Sequence, residues 1–376
     1  MKFVVSSMEL LGHLQAISRV ISNKNTLPIL DNFLFSLEDG LLEITASDLE
    51  STLVTQIALE NTEGSGMVAI PARIMTDTLK EFPDIPLTFE INTDNLMIVI
   101  QSENGKFTIM GQNGAEFPQM PVIKDDQKHQ LDLEQEVLLS GISKTLFATA
   151  DDELRPVMNG IFLELSTDDL SFVASDAHKL VRYKRTDAAA SGTASFILPK
   201  KPASLLKNIL PKEENKVLLE FDDRNASFTL TSYKLVCRLV EGNYPSYNSV
   251  IPTDNPYKMT IDRLSLYNTL KRVSVFSNQA SNLVKLALKG NQINISAQDI
   301  DFSISANERL SCQYEGEDLE IGFKSTFLIE ILANLSSEEV ILEMSDPTRA
   351  GILLPAEAES EVEDTLMLLM PMMINT

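Results

Sequence analysis

Ile44-Thr-Ala-Ser-Asp48-Leu-Glu50 is written again as Phe172-Val-Ala-Ser-Asp176-Ala-His178, and a third time as Ile295-Ser-Ala-Gln-Asp299-Ile-Asp301. The aspartates stand 128 and 123 residues apart. A repeat of this period decides the architecture before any single residue does, because each copy must be one structural unit. An aspartate that closes an apolar run reads as a turn or capping residue, since its short carboxylate accepts from the backbone N–H groups just ahead of it.

The repetition extends outward from that stretch. Downstream of each copy, an apolar strand end runs into a helical pattern: Ala69-Ile-Pro71-Ala-Arg73 into Ile74–Phe82, Ile197-Leu-Pro199-Lys-Lys201 into Ala203–Leu210, and Ile321-Gly-Phe323-Lys324 into Thr326–Leu335. Upstream sits another helical pattern in each, Met8–Ile21, Leu133–Phe147 and Arg263–Phe276. Apolar residues there recur at spacings of three and four, as in Leu10, Leu14 and Ile17 or Leu266, Leu270 and Val273, which predicts amphipathic helices with one buried face. Other segments alternate, as in Phe33–Leu37, Leu218–Phe221 and Phe228–Thr231, and are punctuated by Glu38-Asp39-Gly40 and Asp222-Asp-Arg-Asn225. These predict half-buried strands joined by tight turns. Units one and two also close on related text, Glu116-Phe-Pro118-Gln-Met-Pro121 and Asn243-Tyr-Pro245-Ser-Tyr247. The expected fold is α+β: three tandem copies of one domain, each with two helices and antiparallel sheets, at 1–124, 125–252 and 253–376.

Length and composition fit that reading. The chain has 376 residues and 44% hydrophobic content, enough for a core in each unit. No run of eighteen apolar residues occurs, so no membrane-spanning helix is expected. The opening Met-Lys-Phe-Val-Val reaches Glu9 too soon for a signal peptide. Two cysteines, Cys237 and Cys312, lack metal-ligand spacing and predict small core residues of a disulfide-free, cytoplasmic protein. No cofactor and no metal are expected.

The net charge is −23, which by itself argues against phosphate binding. Its distribution argues otherwise. Arg73, Lys80, Lys144, Lys200, Lys201, Lys207, Lys212, Arg263, Lys271, Arg272 and Lys324 lie on or beside the expected helices, while acidic residues crowd strands and loops, as at Asp151-Asp152-Glu153 and Glu357 to Asp364. Any one of these lysines also fits an ordinary solvated helix face. The pattern over six helices points to one surface much less negative than the rest.

Catalysis is not expected. Ser175, Asp176 and His178 are neighbours in sequence, but triads assemble in space from separate segments. Asp176 recurs at Asp48 and Asp299, whereas Ser175 and His178 do not both recur. The chain has three histidines, His13, His129 and His178, and no phosphate-cradling glycine loop.

With the triplicated unit, the segment Thr26-Leu-Pro-Ile-Leu30, Ala174-Ser-Asp-Ala-His178-Lys-Leu180, Glu241-Gly-Asn-Tyr-Pro245 and the terminal Leu368-Leu-Met-Pro371-Met372, the sequence resembles the bacterial DNA polymerase III β sliding clamp family from Met1 to the C-terminus. The resemblance implies a head-to-tail homodimeric ring around double-stranded DNA, contacted without regard to base sequence. It also implies a pore lined by helices, and partners held by short linear motifs: the DNA polymerase III α subunit, the clamp loader and repair polymerases. It implies no membrane partner. Elementary geometry agrees. Twelve helices side by side at about 8–10 Å close a circle with a hole of roughly 25 Å, wide enough for a duplex of about 20 Å. Six helices leave almost no hole, so encirclement needs a second chain. Topological closure also removes the need for tight binding, since weak phosphate contacts permit sliding.

The same resemblance implies site residues. A peptide-binding cleft comprises Met158, Ser175, Ala177, His178, Lys179 and Leu180 of the second domain, Pro245, Ser249 and Val250 of the connecting segment, and Phe327, Thr348, Ala350, Leu368, Met370, Pro371 and Met372 of the third. Methionine and leucine suit an adaptable groove, although methionines at a strand end also read as plain core. DNA contacts are expected from Lys24, by its match to a family contact loop, and from Arg73, Lys80, Lys200, Lys201 and Lys207, by helix placement. Phe107 and Ile109 are expected to meet Val275 and Phe276 across the dimer seam. The sequence departs from the family where glycine is common (Ala177), where arginine is common (Lys179), and after the final Met-Pro-Met, where Met373 replaces an arginine. Ser281 aligns where many relatives carry a bulky residue near the cleft mouth. The alternative reading is a repeat-built scaffold that binds proteins and never encircles DNA.

Overall fold

The computed structural model describes residues 1–22, 24–124, 128–357 and 360–374. Ala358 and Glu359, inside the acidic run at Glu357 to Asp364, lie outside the described residues. Helices form at all six expected places: α1 (Ser7–Ile17), α2 (Ala72–Lys80), α3 (Gln135–Thr145), α4 (Lys200–Ile209), α5 (Arg263–Ser274) and α6 (Ser325–Ala333). Their ends differ from the periodicity for local reasons. Leu133 belongs to the strand His129–Leu133 rather than to α3. α1 begins at Ser7 because Ser6 caps it, its hydroxyl accepting from the Glu9 N–H. Asp262 caps α5 in the same way through the Ser265 N–H at 2.7 Å. Among the described residues no helix is long and apolar enough to cross a membrane.

Two compact units are resolved. The first comprises 1–139 and 204–239. It contains a five-stranded sheet, whose edge strand is Lys106–Met110, and a nine-stranded sheet. α1 and α2 pack together through Leu10, Leu14 and Ile17 and through Ala72, Met75 and Leu79, all buried. Phe3 and Phe89 stack at 4.8 Å within the five-stranded sheet. In the nine-stranded sheet the strand Ser51–Ala58 of the first repeat pairs antiparallel with Tyr233–Arg238 of the second, Thr52 opposite Val236 and Thr55 opposite Tyr233. The strand expected at Phe228–Thr231 ends at Thr229, and Leu230 enters the turn to Tyr233.

The second unit comprises 140–203 and 240–376. It contains another nine-stranded sheet and a four-stranded sheet whose edge strand is Ile304–Ser311. α5 and α6 pack together, burying Leu266, Leu270 and Val273 with Leu328, Ile331 and Leu332 in a cluster with Ile295, Phe323 and Met367. Here the strand Lys179–Arg185 of the second repeat pairs antiparallel with Glu363–Leu369 of the third, Leu180 opposite Leu368 and Arg182 opposite Leu366.

The thrice-written aspartate is a turn residue in every copy. The Asp48 carboxylate accepts from the N–H groups of Glu50 and Ser51, that of Asp176 from His178 and Lys179, and that of Asp299 from Asp301 and Phe302. Each bond ties off a hairpin between consecutive strands. Cys237 is fully buried and Cys312 nearly so, and both are unpaired thiols.

Candidate functional site

The alternation along two paired strands sorts their side chains onto opposite faces. On one face of the second nine-stranded sheet, Val181, Met367 and Leu369 join the cluster under α5 and α6. On the other, Leu180, Leu366 and Leu368 form a separate apolar cluster with Val173, Tyr247, Ala350 and Ile352. Phe162, Tyr244, Ile251 and Leu354 pack against it while remaining partly exposed. Phe162 stacks on Tyr244 at 4.8 Å and meets Tyr247 at 6.3 Å. Each buried leucine here contributes roughly 2 kcal/mol by removal from water. The connecting segment therefore lies over this face. Tyr247 is fixed by donating its hydroxyl to Glu164 at 2.6 Å. Burial pushes that hydroxyl up to about 12, with the Glu164 carboxylate adding to the rise.

Of the expected cleft residues, Leu180, Ala350 and Leu368 lie in this cluster, and Ser249 and Val250 sit on the short helical turn that carries Tyr247. Pro245, Ser249 and Val250 are exposed, Val250 by 55%. A second group gathers at the hairpin. His178 stacks on Phe327 at 6.0 Å, and the ammonium groups of Lys179 and Lys324 approach that ring at 4.3 and 4.6 Å. Lys179 is only 5% exposed and is held by Asp176 at 3.0 Å and Glu330 at 2.9 Å. The Met370 N–H donates to the His178 carbonyl and the Met372 N–H to the Gly322 carbonyl, both at 2.8 Å, so the terminal Met-Pro-Met borders the hairpin. Met370 is 42% exposed and Pro371 and Met372 are half-buried. Ser175 is buried, its hydroxyl donating to the Lys179 carbonyl. Ala177 adopts φ 74°, the left-handed region that favours glycine. Thr348 occupies a turn in which its hydroxyl donates to Asp346, and that hydrogen bond holds the Asp346 carboxyl below its ordinary range. Met158 is buried in a short helical turn and is not a member of the cluster. Ser281 lies in a loop, its hydroxyl turned to the Asn278 carbonyl.

Reading by motif missed Val173, Tyr247, Ile352 and Leu366. Leu366 carried a signal, being two residues from Leu368 and so on the same face of one strand. The others enter through pairings between distant segments.

Beneath this face runs an ionic joint. Glu363 accepts from Lys144 at 3.0 Å and Arg185 at 2.9 Å, Arg185 is bidentate to Asp187, and Lys144 lies 4.8 Å over the Tyr183 ring. Burial alone would raise the Glu363 carboxyl. Hydrogen bonds from Tyr183 and Lys144 and the two cationic neighbours hold it below its ordinary value instead.

None of the expected DNA-contact residues is a member of the apolar cluster. Lys24 is exposed in the turn after α1. Arg73 and Lys80 flank Asp77 on α2, at 3.8 and 3.2 Å, with the Arg73 side chain 95% exposed. Lys200 pairs with Asp151 at 2.6 Å, and Lys200, Lys201 and Lys207 all lie on α4. Two other helix cations are engaged inside the protein: Lys144 with Glu363, and Arg263 with the carbonyls of Leu332 and Ser337. Of the expected seam residues, Phe107 and Ile109 lie on the edge strand Lys106–Met110, and Val275 and Phe276 form the exposed end of α5.

Three sequence profiles of one family match the chain in order: DNA polymerase III beta subunit, N-terminal domain, at 1–121; central domain, at 132–246; and C-terminal domain, at 248–372. The beta sliding clamp of Pseudomonas putida is 29% identical over 373 residues, 99% of this chain and 100% of that protein. That of Haemophilus influenzae is 30% identical over 351 residues, 92% of this chain and 93% of the relative. Among solved structures, the sliding clamp of Pseudomonas aeruginosa bound to griselimycin superimposes with a TM-score of 0.93 at 26% identity, covering 100% of both chains. The DNA polymerase III β subunit of Thermotoga maritima gives 0.90 at 27%, again over 100% of both. A thrice-built chain, a turn aspartate in each copy and family profiles matched in order along it agree: this chain belongs to the DNA polymerase III β subunit family, the bacterial sliding clamps.

Proposed function

We propose that two copies of this chain close head to tail into a ring around duplex DNA, with 1–124, 125–252 and 253–376 as its three domains per chain. The ring tethers the DNA polymerase III α subunit, the clamp loader and repair polymerases through short peptide motifs and so confers processivity. It is a non-catalytic subunit working in the cytoplasm.

The observation that carries this reading is where the charge lies. The six helices hold nine Lys or Arg residues against four Asp or Glu, and without Lys144 and Arg263, which are engaged inside the protein, seven against four still leaves +3 in a chain whose net charge is −23. A helical inner wall of that sign attracts phosphates, while an acidic exterior repels other DNA. Lys24, Arg73, Lys80, Lys200, Lys201 and Lys207 supply the contacts. Exposed pairs such as Lys200–Asp151 compete with phosphate for the same ammonium and are worth at most about 1 kcal/mol, which keeps each contact weak and the ring free to slide.

Peptides dock on the apolar face of Leu180, Ala350 and Leu368 and beside His178, Phe327 and Met370, where flexible methionine and leucine side chains accept different anchors. Phe107 and Ile109 face Val275 and Phe276 of the second copy.

Retention on circular DNA tests the ring. Once loaded on a nicked circle, the protein is expected to remain through gel filtration and to be released when the circle is linearised. Retention indifferent to topology would sink the ring and favour a protein-binding scaffold.

A further inference from the structure

We propose that a polar concavity beside the apolar face of the second unit is a subsite for a basic side chain, and that Glu164 draws a lysine or arginine of a docked peptide into it. The inference rests on the peptide-docking reading above and names which peptides that face prefers.

Strand pairing sets the two surfaces side by side. Glu164 stands two residues beyond Phe162, Ser171 two before Val173 and Lys184 two beyond Arg182. The registers put Glu164 opposite Ser171, and Ser171 opposite Lys184. Alternation therefore places all three on the face that carries Phe162 and Val173, one row further on. The apolar row gives way to a polar one in a single step. Tyr247 joins the two, since it belongs to the apolar cluster and its hydroxyl reaches Glu164 at 2.6 Å. There a concavity of about 490 Å³ opens, lined by Glu164, Asp169, Arg182, Lys184, Thr193 and Ser195 among others. Ligand sites commonly have this size, roughly 300–1,000 Å³.

The charges there do not cancel. Arg182 is held by Asp364 at 2.6 Å and Lys184 by Asp169 at 3.1 Å. Glu164 forms no ion pair among the described residues, and Tyr247 donates to its Oε2 alone. The uncompensated charge is thus one carboxylate. Thr193 and Ser195 add hydroxyl oxygens, which accept from an ammonium or guanidinium group. An anionic guest meets no free cation: the Arg182 Nε lacks a partner but is enclosed, and Lys184 already faces Asp169. A basic residue also suits the path, because its methylene stem covers the apolar row while its charged head reaches the carboxylate. Rows on one face lie about 6.7 Å apart and an extended peptide advances about 3.4 Å per residue, so a basic residue two or three positions from the apolar anchor reaches Glu164.

The test compares three peptides by fluorescence anisotropy at low salt, on the full chain. They share one leucine–phenylalanine anchor and differ only two and three positions from it on both sides, where they carry lysine, glutamine or glutamate. On the parent chain the lysine peptide is expected to bind tightest and the glutamate peptide weakest. Glu164→Gln keeps an acceptor for Tyr247 and removes the charge. It is expected to cut the advantage of lysine over glutamine about fivefold, the usual size of one partly exposed ion pair. Asp169→Asn leaves Glu164 and Tyr247 in place but frees Lys184 to oppose the guest, and is expected to cut that advantage too. An unchanged affinity for the glutamine peptide shows that both variants fold. Should Glu164→Gln weaken the glutamine peptide by disturbing Tyr247, Asp169→Asn decides on the same terms. An advantage that survives the substitutions, or a parent chain with no preference for lysine, would overturn the inference and leave the apolar docking face standing. A parent chain that binds none of the three peptides would overturn the docking reading itself.

Discussion

The two nine-stranded sheets are joined in the same way and used differently. In the first, Ser51–Ala58 pairs with Tyr233–Arg238; in the second, Lys179–Arg185 pairs with Glu363–Leu369. Each joint begins at a repeated aspartate turn with a residue in the left-handed region, Leu49 at φ 77° and Ala177 at φ 74°. Each ends on the same hydrogen bond at 2.8 Å, from the Arg238 N–H to the Glu50 carbonyl and from the Met370 N–H to the His178 carbonyl. At matching registers the side chains differ. Thr52 faces Val236 in one sheet, whereas Leu180 faces Leu368 in the other. Glu50 and Arg238 make an exposed pair at 3.9 Å, whereas Lys144, Arg185 and Glu363 make an enclosed one. The backbone plan is copied, and the candidate site comes from the side chains set upon it.

The largest contrast lies in the ionic joints. Glu363→Ala removes the carboxylate that Lys144 and Arg185 share, Arg185 keeping Asp187, which costs about 3 kcal/mol in a urea denaturation. Glu50→Ala, at the exposed counterpart, costs at most about 0.5 kcal/mol. Equal losses would erase the distinction. Acid sharpens it. A carboxyl held below its ordinary value stabilises the fold above the unfolded pKa, and that contribution is lost as pH falls through the folded pKa. The gap between the parent chain and Glu363→Ala is therefore full at neutral pH and shrinks below about pH 4.

Next in size is the apolar face. Leu180→Thr with Leu368→Val gives the second joint the side chains of the first. It is expected to weaken a leucine- or phenylalanine-anchored peptide about 30-fold by fluorescence anisotropy, from roughly 2 kcal/mol of lost apolar contact, while the dimer mass stays unchanged. Undiminished affinity would place the peptide elsewhere. The smallest effect belongs to the turn. Ala177→Gly relieves a left-handed alanine and is expected to raise stability by roughly 0.5–1 kcal/mol in the same denaturation; no gain would mean the turn carries no strain.

Much of the fold was readable in the sequence, because amphipathic spacing at Leu10, Leu14 and Ile17 or Leu266, Leu270 and Val273 is a local signal and local signals survive translation into helices. The aspartates were readable as turns for the same reason, their hydrogen bonds reaching two or three residues ahead. The candidate site was readable in part, through the motifs at Ser175–Leu180 and Leu368–Met372. Lys179 could not be placed from its type alone. A lysine at a hairpin usually faces water, and here two carboxylates and the Phe327 ring draw it in. Nor could the apolar face be assembled, because Val173, Tyr247, Ile352 and Leu368 come from four separate strands and turns.

By itself the sequence determined the unit and its number. Three copies of a pattern with periods of 3.6 and 2 can satisfy their backbone bonds and bury their apolar stripes only as helices on sheets. The tertiary structure alone decided which strand of one repeat meets which strand of the next, and so which side chains share a face. That choice depends on pairings such as Leu180 with Leu368, 188 residues away along the chain, whose register no local preference encodes.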